Sequence, residues 1–204
     1  MQETNIVNGI VLRAERHKEA DIKIHILTPT DVRVCYVTGV ARQGAKMKSA
    51  VQLFTIAEFS LTGAKITGAH VLQTSIGIAG QINRYYLACA IAQVVVSLVY
   101  DSKNTADEGK VAQIFYLTAR SFEMLERTQV SAYKILINFF LKLLIFLGYD
   151  TPDAVFLQKF KCVDDTDIDN VKLDHKNAKI CVQILQKSYN EFLDISIPNI
   201  ESFL

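Results

Sequence analysis

Residues 8–40 read NGIVLRAERHKEADIKIHILTPTDVRVCYVTGV. β-branched and aliphatic residues come in short alternating runs with polar ones, as in Ile22-Lys23-Ile24-His25-Ile26 and Val32-Arg33-Val34-Cys35. Alternation with a period of two sends successive side chains to opposite faces of a strand, so these runs predict a half-buried sheet. Pro29-Thr30-Asp31 lies between two of them. Proline presets its φ angle and aspartate readily bonds the local backbone, which predicts a tight turn and hence a hairpin. The pattern continues to Ser75, and the strands are read at residues 8–14, 22–28, 33–40, 51–61 and 69–75. Five antiparallel strands with no helical period before Gly80 predict a small closed barrel, of which the OB-fold is the common five-stranded case.

After Gly80 the pattern changes. Asn83 is read as the cap of a helix reaching about Tyr100, and Asp107 as the opening of a second that reaches Arg127. A third starts near Ser131, carries Ile135, Leu136, Phe139, Phe140, Leu143, Leu144 and Leu147 at helical spacings, and ends at Gly148, a C-cap residue. An amphipathic helix is read from about Lys176 to Leu193. The expected architecture is α+β and multidomain: an N-terminal five-stranded OB-fold β-barrel over residues 1–78, then an all-α helical domain over residues 79–204. Residues 85–100 and 135–149 are long and apolar, but Gln93, Ser97, Asn138 and Lys142 interrupt them and they fall short of about twenty residues, so they read as core helices rather than membrane spans.

The 204 residues are half hydrophobic and about a fifth charged, a globular composition, with a net charge of +1. No chain-wide field attracts nucleic acid, so charge has to be read by segment. Residues 1–80 hold nine Lys and Arg against six Asp and Glu, a net of +3, whereas residues 150–204 hold six Lys against ten Asp and Glu, a net of −4. Cys35, Cys89, Cys162 and Cys181 are widely separated and form no C-x-x-C pair, so neither a zinc ribbon nor a disulfide framework is indicated. The opening Met1-Gln2-Glu3-Thr4 lacks a basic region followed by an apolar run, and a cytoplasmic protein is the expectation.

The segment richest in chemistry is Thr38-Gly39-Val40-Ala41-Arg42-Gln43-Gly44-Ala45-Lys46-Met47-Lys48-Ser49, with three cations and no acid. Glycines permit close approach to a phosphate backbone, and long cations neutralise phosphates and release counterions. On composition alone, a solvated loop with surplus lysine accounts for the same residues. Arg13, Arg16 and Lys18 form a second cluster, partly cancelled by Glu15, Glu19 and Asp21. Single-strand-binding barrels add exposed rings on which bases stack. Of Tyr36, Phe54 and Phe59, Tyr36 is the expected platform, since it alternates with Cys35 and Val37 on a strand leading into the basic loop. The histidines at 17, 25, 70 and 175 have no metal-ligand spacing and no nucleophile motif is present, so no enzyme is read here. Residues 164–169, DDTDID, lack the glycine and terminal glutamate of a calcium loop and read as a solvated acidic loop.

Gly9-Ile10-Val11-Leu12-Arg13, Glu19-Ala20-Asp21, Leu27-Thr28, Gly39-Val40-Ala41-Arg42 with Lys46, Lys48 and Ser49, and Gln52-Leu53-Phe54 together resemble the N-terminal signature of the RecO family. Residues 139–149, FFLKLLIFLGY, resemble that family's helical segment ending in Leu-Gly-Tyr. The resemblance implies an OB-fold joined to a helical domain in a bacterial, nucleoid-associated protein. It further implies binding to single- and double-stranded DNA, annealing of complementary strands, and loading of the RecA recombinase with the partner RecR. Carried over residue by residue, Arg13, Arg42, Lys46 and Lys48 would be the backbone contacts. Many members carry a four-cysteine zinc motif after Leu-Gly-Tyr; here only Cys162 lies in that region, so no metal or other cofactor is expected. The implied partner, single-stranded-DNA-binding protein, would offer an acidic tail ending in an aromatic residue. Arg120, Arg127 and Lys134 recur every seven residues beside Phe122, Leu125 and Tyr133 and would form its cationic rim, or else are ordinary solubilising charges. The alternative function is a helical interaction adaptor whose barrel is structural.

Overall fold

The computed structural model describes residues 4–40, 42, 45–101, 108–127, 131–150, 152–161, 163 and 167–198. The chain divides into two compact units, Met1–Ile76 with Val99–Ala119, and Gly77–Leu98 with Arg120–Leu204.

The first unit holds the strands β1 (Thr4–Arg16), β2 (Ile22–Leu27), β3 (Val32–Val37), β4 (Ile56–Thr62) and β5 (Lys65–Gln73). They close in the order β1-β2-β3-β5-β4, the five-stranded OB topology. Every pairing is antiparallel except the closing one between β3 and β5, which rests on the single pair Tyr36 with Lys65 and makes this seam the thin part of the ring. One strand serves two neighbours: Thr4 to Ile10 of β1 pair with β4, and Ile10 to Arg16 pair with β2. A bulge between Val11 and Arg13 supplies the bend that this requires. Inward residues Val11, Ile24, Ile26, Cys35, Val37, Phe59, Leu61 and Ile66 fill the barrel. Gly9 faces Phe59, and a Cβ there would lie 3.1 Å from the ring, so this inward position of β1 is kept small.

The β2–β3 turn forms as expected, with the Thr28 hydroxyl donating to Asp31 Oδ1 at 2.6 Å and the Asp31 N–H donating back to Thr28 Oγ1 at 3.1 Å. The strand read at 51–61 starts only at Ile56. Residues before it turn instead: Phe54 has a φ of 67°, a left-handed conformation that no strand tolerates, and its N–H donates to Val11 O at 2.7 Å. Val51 and Phe54 are apolar because they anchor this loop in the core, which imitates a strand signal in the sequence. Outside the barrel but within the first unit, the buried His25 ring meets Tyr100 edge-on at 5.2 Å.

The helices are α1 (Ile76–Ala79), α2 (Ile82–Val96, continued by a π-helical turn at Ser97–Asp101), α3 (Glu108–Arg127), α4 (Ala132–Leu147), α5 (Val155–Lys161) and α6 (His175–Leu193). Asn83 does not cap α2, which already begins at Ile82 after an extended Gln81 with no side-chain cap. Asp107 lies outside the described residues. Ile82–Tyr100 is long and apolar enough to cross a membrane by length and composition, and half of that window is buried inside the protein.

In the second unit, α4 and α6 share the core, where Phe140 and Tyr189 meet edge-on at 5.2 Å. The fully buried Tyr189 hydroxyl donates to Phe140 O at 2.9 Å, and burial pushes its pKa well above the usual tyrosine value. Gly148 ends α4 with a φ of 88°, which glycine adopts without steric cost. Asp174 starts α6 by accepting the Asn177 N–H at 2.7 Å. Glu126 accepts the N–H groups of Gly77 and Ile78 at 2.8 and 2.9 Å, satisfying donors at the start of α1.

Candidate nucleic-acid interface

Beyond β3 the chain turns at Gly39, whose φ of 71° is left-handed. Its N–H donates to Asp21 Oδ1 at 3.0 Å, while Asp21 O accepts the His17 N–H at 3.0 Å. One aspartate therefore closes the β1–β2 turn and ties the β3–β4 loop to it. Tight turns follow, with Arg42 N–H to Gly39 O at 3.2 Å, Ala45 N–H to Arg42 O at 3.3 Å and Lys48 N–H to Ala45 O at 3.2 Å. Val40, Ala50 and Val51 are buried in the barrel core and Met47 packs against it. Between these anchors, Arg42, Lys46 and Lys48 are exposed, and among the described residues none of the three forms an ion pair. Ala41, Gln43 and Gly44 lie outside the described residues. Its described residues thus present cations to solvent between buried anchors, an arrangement suited to neutralising phosphates.

Arg13 and Tyr36 share the outward side of the neighbouring strands. Arg13, His25 and Val34 stand in register across β1, β2 and β3. In the adjacent outward row stand Glu15, Lys23 and Tyr36, continued by Lys65 through the closing pair. Arg13 is exposed but forms an ion pair with Glu15, so its charge is partly offset. Tyr36 is half-buried between the inward Cys35 and Val37, and the His17 ring lies 4.8 Å from its ring at a tilt of 53°. Phe54 and Phe59 are buried in the core, which leaves Tyr36 as the ring on the outside. Reading the sequence missed Lys23, Lys65 and His17 as neighbours of Tyr36, because only strand register brings them together. On OB-folds the face of strands 2 and 3, with the loops joining strands 1 to 2 and 4 to 5, is where oligonucleotides bind. Tyr36 lies on that face, with His17 from the first loop on its ring and its N–H donating 2.9 Å to Ala64 O of the second.

The cations of the helical unit are placed differently. Arg120 and Arg127 both engage Glu123, at 2.9 and 3.3 Å, on one side of α3. Lys134 does not join them: it is buried on α4, and its Nζ donates to Asp169 O at 2.9 Å. Its ammonium serves the turn at Ile168–Asn170 rather than an exposed rim.

Burial pushes the Cys35 and Cys181 thiols up to about 11 and raises Cys89 as well, so little thiolate forms at neutral pH. Among the described residues, no group of three or more His, Cys, Asp or Glu side chains converges to hold a metal ion, and these side chains do not fit a four-cysteine zinc site. Cys162 and Asp164 to Thr166 lie outside the described residues.

Residues 1–75 match a family model described as the N terminal of recombination protein O. Among curated proteins, none matches the chain.

Proposed function

We propose that this chain, whose first 75 residues are the N-terminal domain of the RecO family of DNA recombination and repair, acts as a mediator that holds single- and double-stranded DNA on its barrel. The observation that carries the reading is the β3–β4 loop, where Arg42, Lys46 and Lys48 are exposed between the buried Val40, Ala50 and Val51 and have no acidic partners among the described residues. Arg13 and Tyr36 extend the surface onto the sheet. Annealing of complementary strands and loading of RecA together with RecR follow from the family and from a surface that contacts phosphates rather than base edges. The role is one of binding and strand handling in the bacterial cytoplasm, with no covalent bond made or broken. The acidic tail of single-stranded-DNA-binding protein would meet Arg120 and Arg127 on α3, with Lys134 taking no part in that rim.

The decisive measurement is a filter-binding titration against labelled strands over a series of salt concentrations. Each phosphate contact lowers the slope of log affinity against log salt by about 0.7 for single strands and 0.9 for duplex. The triple variant Arg42→Ala, Lys46→Ala, Lys48→Ala is expected to flatten the single-strand slope by about 2. An unchanged slope would remove the loop from the interface. A chain acting only as a helical adaptor would show neither appreciable affinity nor a steep slope.

A further inference from the structure

We propose that the stacked pair Tyr149 and Phe192, next to Asp150 and Asp194 where α4 and α6 end together, is a docking site for an arginine-bearing segment of a partner protein. The site belongs to the helical unit alone and stands whether or not the barrel binds DNA.

The two rings lie parallel, with centroids 5.2 Å apart and planes 9° from each other. Phe192 is 43% exposed, so solvent reaches its ring. The last turn of α4 adds Ile145, Phe146 and Leu147, each half-buried, just before Tyr149. Contiguous apolar surface of this kind marks a place where another molecule is received.

The electrostatics select the sign of that molecule. Tyr149 directly follows the C-cap Gly148 of α4, and Phe192 is the penultimate residue of α6, so the ring contact brings two helix C-termini together. Each such end carries about half a negative charge on carbonyls that lack intrahelical partners. Asp150 follows Tyr149, and Asp194 is the C-cap of α6; both are exposed, and neither forms an ion pair among the described residues. Glu191, beside Phe192, is drawn to Lys187 at 3.7 Å, so that pair is neutral as a whole. A surface of this sign repels phosphates, which makes it the opposite of the cationic β3–β4 loop and unsuited to nucleic acid. It attracts cations. Of the cationic side chains, arginine fits both halves of the site: its guanidinium is planar and weakly hydrated, stacks on an aromatic face and forks to a carboxylate, whereas the ammonium of lysine holds its water. The half-buried end of α4 then receives apolar neighbours of that arginine, so the occupant is a segment in which arginine alternates with apolar side chains.

The test titrates the full-length chain against a labelled heptapeptide with arginines set between leucines. A control peptide carries citrulline in place of arginine, which keeps the shape and removes the charge. The arginine peptide is expected to bind about fivefold more tightly than the control at low salt, with the difference shrinking as salt is added. Asp150→Asn combined with Asp194→Asn is expected to weaken the arginine peptide by about fivefold. Asparagine tolerates the left-handed φ of 54° at position 194, so this variant keeps the end of α6. Phe192→Leu keeps apolar bulk but removes the ring face, and a loss of about three- to fivefold is expected. Both aspartates are exposed, so the asparagine variant carries the test should Phe192→Leu unfold. Equal binding of the two peptides overturns the site. So does an affinity of the asparagine variant within about twofold of the unmodified chain, with circular dichroism showing the fold intact. A chain that dimerises by light scattering and loses the dimer in the asparagine variant overturns the partner protein in favour of a second copy.

Discussion

The β3–β4 loop and the end of α3 with the start of α4 carry three cations each, and the two regions use them in opposite ways. In the loop, Val40, Ala50 and Val51 on either side of the cations are buried and Met47 packs against the core, while Arg42, Lys46 and Lys48 are left to solvent. In the helical unit the cations have internal partners: Arg120 and Arg127 share Glu123, and Lys134 is buried against Asp169 O. Positive charge in a sequence is therefore a poor marker of an interface by itself. What decides is whether the donors are already satisfied within the fold, since a cation bonded internally must give up that bond before it can hold a phosphate.

The largest effect that would break this comparison is expected at Lys134. Lys134→Met keeps the bulk of the buried side chain and removes its hydrogen bond to the carbonyl of the exposed Asp169. It should destabilise the protein by about 0.5–1.5 kcal/mol, the net worth of one hydrogen bond, read as a fall in the urea midpoint, with no change in the salt dependence of DNA binding. A variant as stable as the parent would show that this lysine was never held internally. A smaller effect separates two cations within the barrel unit. Arg42→Ala should flatten the single-strand salt slope by about 0.7, whereas Arg13→Ala should change it by less than half as much, because Glu15 already offsets the Arg13 charge. Equal changes at the two positions would mean that the Arg13–Glu15 pair gives way to DNA without cost.

Much of the fold was legible because its signals are local. Gly148 ends α4 where its freedom to adopt a positive φ is needed, Ser131 and Gly148 bound the helix whose apolar spacing predicts it, and the Pro29-Thr30-Asp31 turn joins the strands it separates in sequence. Sequence and structure part where a local pattern has a non-local cause. Val51 and Phe54 are apolar as loop anchors, so the sequence signals a strand five residues before β4 begins at Ile56. The loop cations of the candidate site could be named from composition, but the row Lys23, Tyr36, Lys65 depends on one parallel pair between strands that are not consecutive. Lys134 falls on a seven-residue repeat with Arg120 and Arg127. A helical repeat has meaning only along one helix, and Lys134 belongs to α4 while the arginines belong to α3. Its true partner lies thirty-five residues away in sequence, where no periodicity reaches.

The smallest expected effect, and the sharpest test of internal pairing, is at Glu123. Its carboxylate serves two arginines on an exposed side of α3, and such surface pairs contribute about 0–1 kcal/mol, so Glu123→Gln should leave the unfolding midpoint almost where it was. The consequence lies in binding rather than stability. With the carboxylate neutralised, Arg120 and Arg127 lose a competitor for any incoming acid and a source of repulsion against it. The affinity of the chain for an acidic peptide ending in an aromatic residue should then rise by about two- to fivefold at low salt, the magnitude of the surface pair given up. The gain should fade as ionic strength shortens the Debye length toward the separation of the charges. Arg120→Glu and Arg127→Glu should move affinity the other way. If Glu123→Gln leaves peptide binding unchanged and the charge-reversed variants bind as the parent does, the α3 arginines serve only Glu123 and α3 holds no such peptide.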